Sequence, residues 1–592
     1  MGITRIDREF GVAGVQEGRD GAVTAVGDGE KKAPSVRDHL ADAPGHRPRC
    51  LASGECALEG IGRQYDAEGW HDDDHRSGTR LPPLVRKDGR DVVPDAETPD
   101  QRFPERISAS QEETSMAHDE APLLDAWRRA QRAGLRPMQI PGHKMRYTLD
   151  AEGWAADLIG DTVRDDIHLQ GGVDDNAFTN NFLGQAERLW AQQVGADHCR
   201  FLVGGSSQGN ITTVGVVADR DVPIAIDRTS HRSTQAALII SGAVPVWIYP
   251  RLHPELHLPI GVEPASITRV QEEVNGFFVT SPSYIGTISD VAGLAEAAHA
   301  RGQALIVDQA WGAHLDFLPH GGAISNGADL SVTSVHKALT GYSQTAVVTM
   351  REGRGFITRG TLDRWVDLTS TTSPSGTLLA SIDATRAAMA RGGRERLDVV
   401  MEAVADARRR MASVPGLIVL DDANAGCPVD PMKITLILPG TGVDGTEVGR
   451  RLAELGNGPE VADLDTVVFT ASVADEPEWI GQFTDLLIDM IEALRQPARP
   501  MAPLAVWRVE PEVVVTPREA FFSDRRRIPL TDAVGEVSAE QFCPYPPGVP
   551  LLAPGERVTR ETVDAIRAAG KVGRVAYSSD PTLETIEVID GI

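Results

Sequence analysis

Two residues of opposite charge stand where short apolar runs end. Asp308 closes ALIVD (304–308), and Lys337 follows the next run within DLSVTSVHK (329–337). Strand ends of open α/β sheets are where ligands dock. A carboxylate and an amine placed there suit a cofactor with a basic ring nitrogen at one edge and an aldehyde at the other. That is the chemistry of pyridoxal phosphate: a lysine forms the Schiff base, and an acid keeps the pyridine nitrogen protonated so that the ring accepts electrons. An ordinary pair of solvated charges is the competing reading, and spacing alone does not separate the two.

Further residues bear on the choice. GGSSQGN (204–210) follows the strand-like FLV (201–203) and precedes an apolar run. A Gly- and Ser-rich turn entering a helix offers backbone N–H groups and hydroxyls to a phosphate, which makes Ser206 and Ser207 candidate ligands; a plain helix cap has the same composition. No Gly-Lys-Ser/Thr follows the glycines, so the segment is not a nucleotide P-loop. His231 lies just beyond PIAID (223–227), where an imidazole stacks on a ring or merely caps the chain. Ser334 and His336 flank Lys337, the first as a phosphate ligand, the second against the cofactor or as a proton donor.

These residues need elements to hold them. Strands are predicted at FLV, PIAID, VPVWIYP (244–250), FFVTSP (277–282) and ALIVD, with further strands at 329–333 and 345–350. DVAGLAEAAHARG (290–302) reads as a helix stopped by a glycine. Apolar strands joined by helices predict an α/β fold with a mostly parallel central sheet flanked by helices. Beyond SPSG (373–376) a long helical pattern, strands at 434–439 and 466–471, and the helix FTDLLIDMIEALR predict a smaller α/β unit. The expected divisions are 1–115, an N-terminal helical arm at 116–150, a large cofactor-binding domain at 151–375, the small α/β domain at 376–500, and a C-terminal domain at 501–592. A helix at 559–569 and a final strand belong to the last.

Composition narrows the function classes. Among 592 residues, 58 Lys plus Arg face 85 Asp plus Glu, a formal charge of −27. That sign opposes general binding to nucleic acid or anionic membrane, and no apolar run is long enough to span a bilayer. Neither partner is expected. Five scattered cysteines form no disulfide framework, which fits a reducing cytoplasm. Cys50 and Cys56 with His46 match no structural zinc spacing, so no metal is expected. Residues 1–115 lack sustained periodicity and read as a disordered extension, or as a mis-called start with Met116 the true initiator.

The motifs as a set resemble the pyridoxal-phosphate-dependent ornithine/lysine/arginine decarboxylases of the fold-type-I aminotransferase superfamily. The matching pieces are IPGHKMRY (140–147), GGSSQGN, DRTSHRSTQAALIISGAVPVWIYP (227–250), TSPSYIGTISDV (280–291), DQAWGAHLDF (308–317), SVHKALTGYSQTAV (334–347), TTSPSG (371–376), TPREAFF (516–522) and YPPGVPLLAPGE (545–556). They keep chain order from about 120 to 570. The resemblance implies that Lys337 holds the cofactor, Asp308 pairs with its ring nitrogen, and His231 stacks on its face. It also implies that Ser206, Ser207 and Ser334 bind the phosphate with His336 beside them, and that Ala310 leaves room beneath the ring. It implies a homodimer or larger homo-oligomer, with Thr371, Ser373 and Ser375 near the partner's site. The chain departs from many relatives at Gln309 to Trp311 and at 170–182, and shows no response-regulator-like domain in 1–115.

The implied reaction converts a basic L-amino acid (lysine, ornithine or arginine) into its amine and carbon dioxide. The distal charge of such a substrate needs an acid, for which Asp165, Asp166, Asp174 and Asp175 are candidates. Another pyridoxal-phosphate reaction, such as transamination, and a non-catalytic assembly role are the alternatives.

Overall fold

The computed structural model describes residues 116–134, 138–145, 161–175, 179–218, 222–353, 357–501, 510–545, 548–571 and 575–592. The expectations for 1–115, including Cys50, Cys56, His46 and the features before Met116, lie outside the described residues.

A seven-stranded sheet dominates. Its strands are β1 (His198–Leu202), β2 (Ile224–Asp227), β3 (Pro245–Ile248), β4 (Gly276–Thr280), β5 (Ala304–Asp308), β6 (Leu330–Ser334) and β7 (Ala346–Met350), in the spatial order β1-β7-β6-β5-β4-β2-β3. The pairs β2–β3, β2–β4, β4–β5 and β5–β6 are parallel; β7 runs antiparallel to both neighbours. The expected mostly parallel sheet is therefore present. β4 to β7 are buried along almost their whole length, as unbroken Val/Ile/Leu/Phe runs demand when helices cover both faces.

Helix α1 (Pro122–Arg132) and helix α2 (Phe182–Val194) precede the sheet; α3 (Gly205–Val217) and α4 (Ser233–Ser241) follow β1 and β2, and α5 (Val291–Ala300) links β4 to β5. The Gly/Ser segment after β1 is thus the first turn of α3 itself. Gly209 allows α3 to lie close on the sheet, since a Cβ there would fall 2.4 Å from Val332 Cγ1. Asp290 caps α5 by accepting from Gly293 N at 2.9 Å.

Helix α6 (Arg359–Thr369) leads to α7 (Gly376–Ala412), which runs well past the Gly-Gly pair that ends the pattern in the sequence. Gly392 distorts the helix, yet Leu397, Val400, Val404, Ala407 and Met411 extend a buried stripe at alternating spacings of three and four, so packing carries the helix onward. α1, read from sequence as part of an arm, docks on α7: Asp383 accepts from Leu123 N (2.9 Å) and Leu124 N (3.2 Å).

The second sheet is antiparallel, ordered β10 (Val461–Ala462), β11 (Thr466–Thr470), β9 (Lys433–Ile437) and β8 (Ile418–Val419), and is covered by α8 (Pro477–Leu494). One apolar cluster joins α1, α2, α7, this sheet and α8. The C-terminal region adds the pairs β12 (Arg525–Pro529) with β15 (Thr585–Ile589) and β13 (Cys543–Tyr545) with β14 (Val575–Tyr577), and one apolar cluster joins β12 and β15 to α9 (Arg560–Lys571). No described helix is long and apolar enough to cross a membrane.

Candidate active site

Because β2, β4, β5 and β6 are parallel, their carboxyl ends share one edge, and Asp227, Thr280, Asp308 and Ser334 are their last residues. A cavity opens at this edge, lined by Ser206, His231, Asp308, Ala310 and Lys337 among others. Five residues singled out by sequence therefore converge from β1–α3, β2–α4, β5 and the turn after β6. Ser207 is exposed on the first turn of α3 and does not line the cavity; Ser334 and His336 lie next to Lys337, outside its lining.

Asp308 and Lys337 both sit deep. Burial raises the Asp308 carboxyl, while the Lys337 charge, the Asn210 amide and Ala310 N pull the other way. Burial lowers the Lys337 amine, opposed by Asp308 and Glu460. The Lys337 Nζ lies 3.6 Å from the centroid of the Trp311 ring. Asn210 donates from Nδ2 to Asp308 Oδ2 (2.8 Å) and to Ser233 Oγ (2.9 Å). Ser233 in turn meets His231: its Oγ is 2.9 Å from Nδ1, and its backbone N donates to the same nitrogen at 3.2 Å. His231 Nδ1 thus accepts. Burial, with Lys337 and Arg232 adding repulsion, lowers the imidazole to about 4, so it is neutral near pH 7. His336 is held differently, donating Nδ1–H to Thr345 O at 2.8 Å, and burial lowers its pKa as well.

The polar inventory fits a phosphorylated aldehyde cofactor. Ser334 Oγ and Thr280 Oγ1 are buried without a hydrogen-bond partner, an arrangement that costs free energy until an acceptor arrives. The first-turn N–H groups of α3 have no intrahelical acceptor, and Ser206 faces the same cavity. Ala310, 5% exposed, keeps the floor low.

The acidic candidates for a substrate cation are elsewhere. Asp174 is buried beneath the start of α2, where it accepts from Leu183 N at 2.8 Å and from the Thr179 hydroxyl. Asp165 accepts from Gln131 Nε2 (2.7 Å), and Asp166 meets His143 Nε2 (3.1 Å) and Ser375 Oγ (3.2 Å). None of these, nor Asp175, lines the cavity. Thr371 and Ser373 bond to each other on the surface, and Ser375 caps α7. Sequence reasoning gave no role to Asn210, Thr280, Tyr284, Glu460 or Val549, although four of them line the cavity and Asn210 stands behind its floor. Asn210 sits inside a segment already singled out, four residues past Ser206 on one helical face. Glu460 and Val549 reach the site from distant chain segments and carry no local signal.

The C-terminal region closes one side. Arg228, just past β2, pairs with Glu556 at 3.0 Å, both nearly inaccessible, and donates to Pro550 O (3.2 Å) and Leu551 O (3.4 Å). Arg232 N donates to Gly548 O at 2.8 Å, which sets Val549 against the cavity.

Sheet order, strand-end site and second antiparallel sheet define a fold-type-I α/β enzyme of the pyridoxal-phosphate class. The profile of the Orn/Lys/Arg decarboxylase major domain matches residues 121–437, and that of the C-terminal domain matches 503–574. The chain belongs to the Orn/Lys/Arg decarboxylase family. It is 31% identical to the arginine decarboxylase of Bacillus subtilis (strain 168) over 504 residues, 80% of this chain and 99% of that protein. Likeness to the constitutive lysine decarboxylase of Escherichia coli (strain K12) is lower, 23% over 64% of this chain and 66% of that one. Among solved structures, lysine decarboxylase A from Pseudomonas aeruginosa shares the fold, with a TM-score of 0.68 at 19% identity over 80% of each chain. Family membership carries lyase chemistry and dependence on pyridoxal phosphate with it.

Proposed function

We propose that this protein decarboxylates a basic L-amino acid, arginine first among them, to the corresponding amine. The observation that carries the reading is the Asp308–Lys337 pair: acid and amine buried in one cavity, at adjoining strand ends, beside an unpartnered buried serine hydroxyl. Arginine is placed first because four relatives at 29–31% identity are arginine decarboxylases, whereas the lysine enzymes match at 23%.

In this reading Ser206, Ser334 and the N-terminus of α3 would hold the phosphate, with His336 beside them, whereas Ser207, expected from the sequence to do so, is exposed and outside the cavity lining. Asp308 would pair with the ring nitrogen, and neutral His231 would pack on the ring. Bound there, pyridoxal phosphate would supply a carbonyl that holds an amine covalently and a protonated ring that accepts the electron pair the departing carbon dioxide leaves on the α-carbon. Lys337 supplies the resting amine, which burial biases toward the unprotonated, nucleophilic form. With the cofactor bound, the Lys337 amine would take up at Nζ the proton given up by the substrate's α-ammonium group and deliver it to the α-carbon that has lost carbon dioxide. His336 is the less suitable donor, since its one N–H is committed to Thr345 O. Asp308, kept in place by Asn210 and Ala310 N, maintains the charge on the ring. Thr371, Ser373 and Ser375 complete the site of a partner subunit in a homodimer.

Borohydride reduction of the cofactor-loaded protein, followed by peptide mass mapping, is expected to label Lys337 within 334–340. Incubation with arginine, lysine and ornithine separately is expected to release carbon dioxide and amine from at least one. A label elsewhere, or glutamate formed from 2-oxoglutarate in place of amine, would overturn the reading.

A further inference from the structure

A second pocket opens beside the catalytic cavity. Its lining comes from α7, β9, β11 and the first turns of α8, and includes Phe469, Asp475, Trp479 and Phe483. Glu460 lines both hollows, so the two are neighbours. At about 230 Å³ the pocket is smaller than those that take drug-sized ligands and has room for a slender chain.

Aromatic rings shape it. Phe469, near the end of β11, stands edge-on to Phe483, with centroids 5.1 Å apart and planes at 80°. Trp479 lies 6.0 Å from Phe483 at 33°, and 44% of it is exposed. A solitary exposed tryptophan needs no explanation, but one that walls a pocket together with two phenylalanines offers π faces to a guest. No cation–π contact occupies any of these rings among the described residues.

The charge on the lining has one sign. No lysine, arginine or histidine lines the pocket, while Asp475 and Glu460 do, from separate segments. Asp475 Oδ2 accepts from Ser472 N at 2.6 Å, and no hydrogen bond or ion pair among the described residues uses Oδ1. The basic groups nearby are committed: Arg396 donates to the carbonyls of Val473, Ala474 and Asp475, and Lys433 to Thr470 Oγ1. Glu476 and Glu478, exposed at the start of α8, offset the positive end of that helix. Rings and carboxylates around an apolar floor of Val404, Ile434 and Ile480 suit an organic cation, because the rings attract the charge and the floor takes methylene groups. Carboxylates on two segments favour a guest with more than one positive centre.

We propose that this pocket is a second, non-catalytic site for an aliphatic di- or polyamine. A metal ion would leave the aromatic walls unused, and an anion would meet two carboxylates. The assignment does not depend on the decarboxylase reading, since Trp479, Phe483 and Asp475 all stand outside the catalytic lining.

The test uses the full-length, cofactor-loaded protein after borohydride reduction, which ties the cofactor to the chain and fills the catalytic cavity. Wild type, Trp479→Ala, Trp479→Phe and Asp475→Asn are titrated calorimetrically with putrescine, with spermidine, and with the uncharged diol of putrescine's chain length. Expected is one amine bound per chain of wild type and no binding of the diol. Trp479→Ala should weaken amine binding about tenfold or more and Asp475→Asn about threefold or more, whereas Trp479→Phe, which keeps a π face, should stay within about threefold. Affinities within about twofold of wild type in both Trp479→Ala and Asp475→Asn would overturn the assignment. So would equal binding of diol and diamine, or reduced wild type that takes up no amine. A protein that carries no label at Lys337 would sink the decarboxylase reading alone, and the same variants titrated without reduction still decide on the pocket.

Discussion

Asn210 holds Asp308. Its Nδ2 lies 2.8 Å from Asp308 Oδ2 and 2.9 Å from Ser233 Oγ, so a single amide on α3 orients both the buried carboxylate and the serine that fixes His231. Replacing Asn210 by Ala leaves a buried acceptor short of a donor, which costs about 1–3 kcal/mol. It also removes a bond that favours the charged carboxylate, so the acid becomes harder to ionise. Asn210→Ala is therefore expected to bind pyridoxal phosphate about tenfold or more weakly, as read by titrating the apoprotein and following visible absorbance. Affinity within twofold of wild type would separate Asn210 from the site.

Lys433 supplies a second amine beside Trp311, its Nζ also 3.6 Å from the ring centroid and 2.6 Å from Thr470 Oγ1. It is fully buried, and burial lowers it to about 8 against the pull of Asp430 and Glu460. Below pH 8 the amine is charged in both folded and unfolded chains. Between pH 8 and its ordinary value near 10.5 the unfolded chain holds a proton that the folded one has lost, so stability rises with pH through that window. Lys433→Met lacks this slope. Urea unfolding of both proteins should show wild type gaining about 3 kcal/mol on the variant from pH 8 to 10.5. A constant difference across that range would mean the amine is not buried in the folded protein.

The Arg228–Glu556 pair carries a heavier load than surface ion pairs, because its partners are 4% and 1% exposed and join β2 to the C-terminal region. Arg228→Met strands a buried carboxylate and is expected to destabilise by about 3–5 kcal/mol. Arg228→Met with Glu556→Leu should recover part of that loss. Denaturant midpoints measure both, and a double variant no better than the single one would place the cost in the lost bonds to Pro550 and Leu551 instead.

How much of this was legible in the sequence follows from distance along the chain. ALIVD and SVTS announce strands because both faces are buried, and their terminal residues then point to one edge; Asp308, Lys337 and His231 follow from that logic. Asn210 and Ser206 lie within one helical turn of a recognisable phosphate-type start. Glu460 and Val549 do not, since β10 has two residues and the 548–556 segment is irregular, and both reach the cavity only through tertiary packing. The kinked continuation of α7 was likewise invisible at Gly392 itself and is explained by the buried stripe beyond it.

Asp174 shows how an acidic segment misleads. In QGGVDDNAFTNNF it looks like a reservoir of negative charge for a basic substrate, whereas in the fold its carboxylate turns inward and takes up Leu183 N and the Thr179 hydroxyl at the start of α2. A negative group there also complements the helix dipole. Asp174→Ala orphans Leu183 N, while the Thr179 hydroxyl keeps Asp175 O as an acceptor at 2.7 Å, and should lower stability by about 1–3 kcal/mol, seen as a reduced urea midpoint. Asp174→Asn, which keeps the acceptor oxygen, should cost less and leave KM for the basic substrate within about twofold, since Asp174 is buried on Leu183 N and the Thr179 hydroxyl and does not line the cavity. A severalfold rise in KM at unchanged stability would return Asp174 to the substrate path and remove the helix-capping role described here.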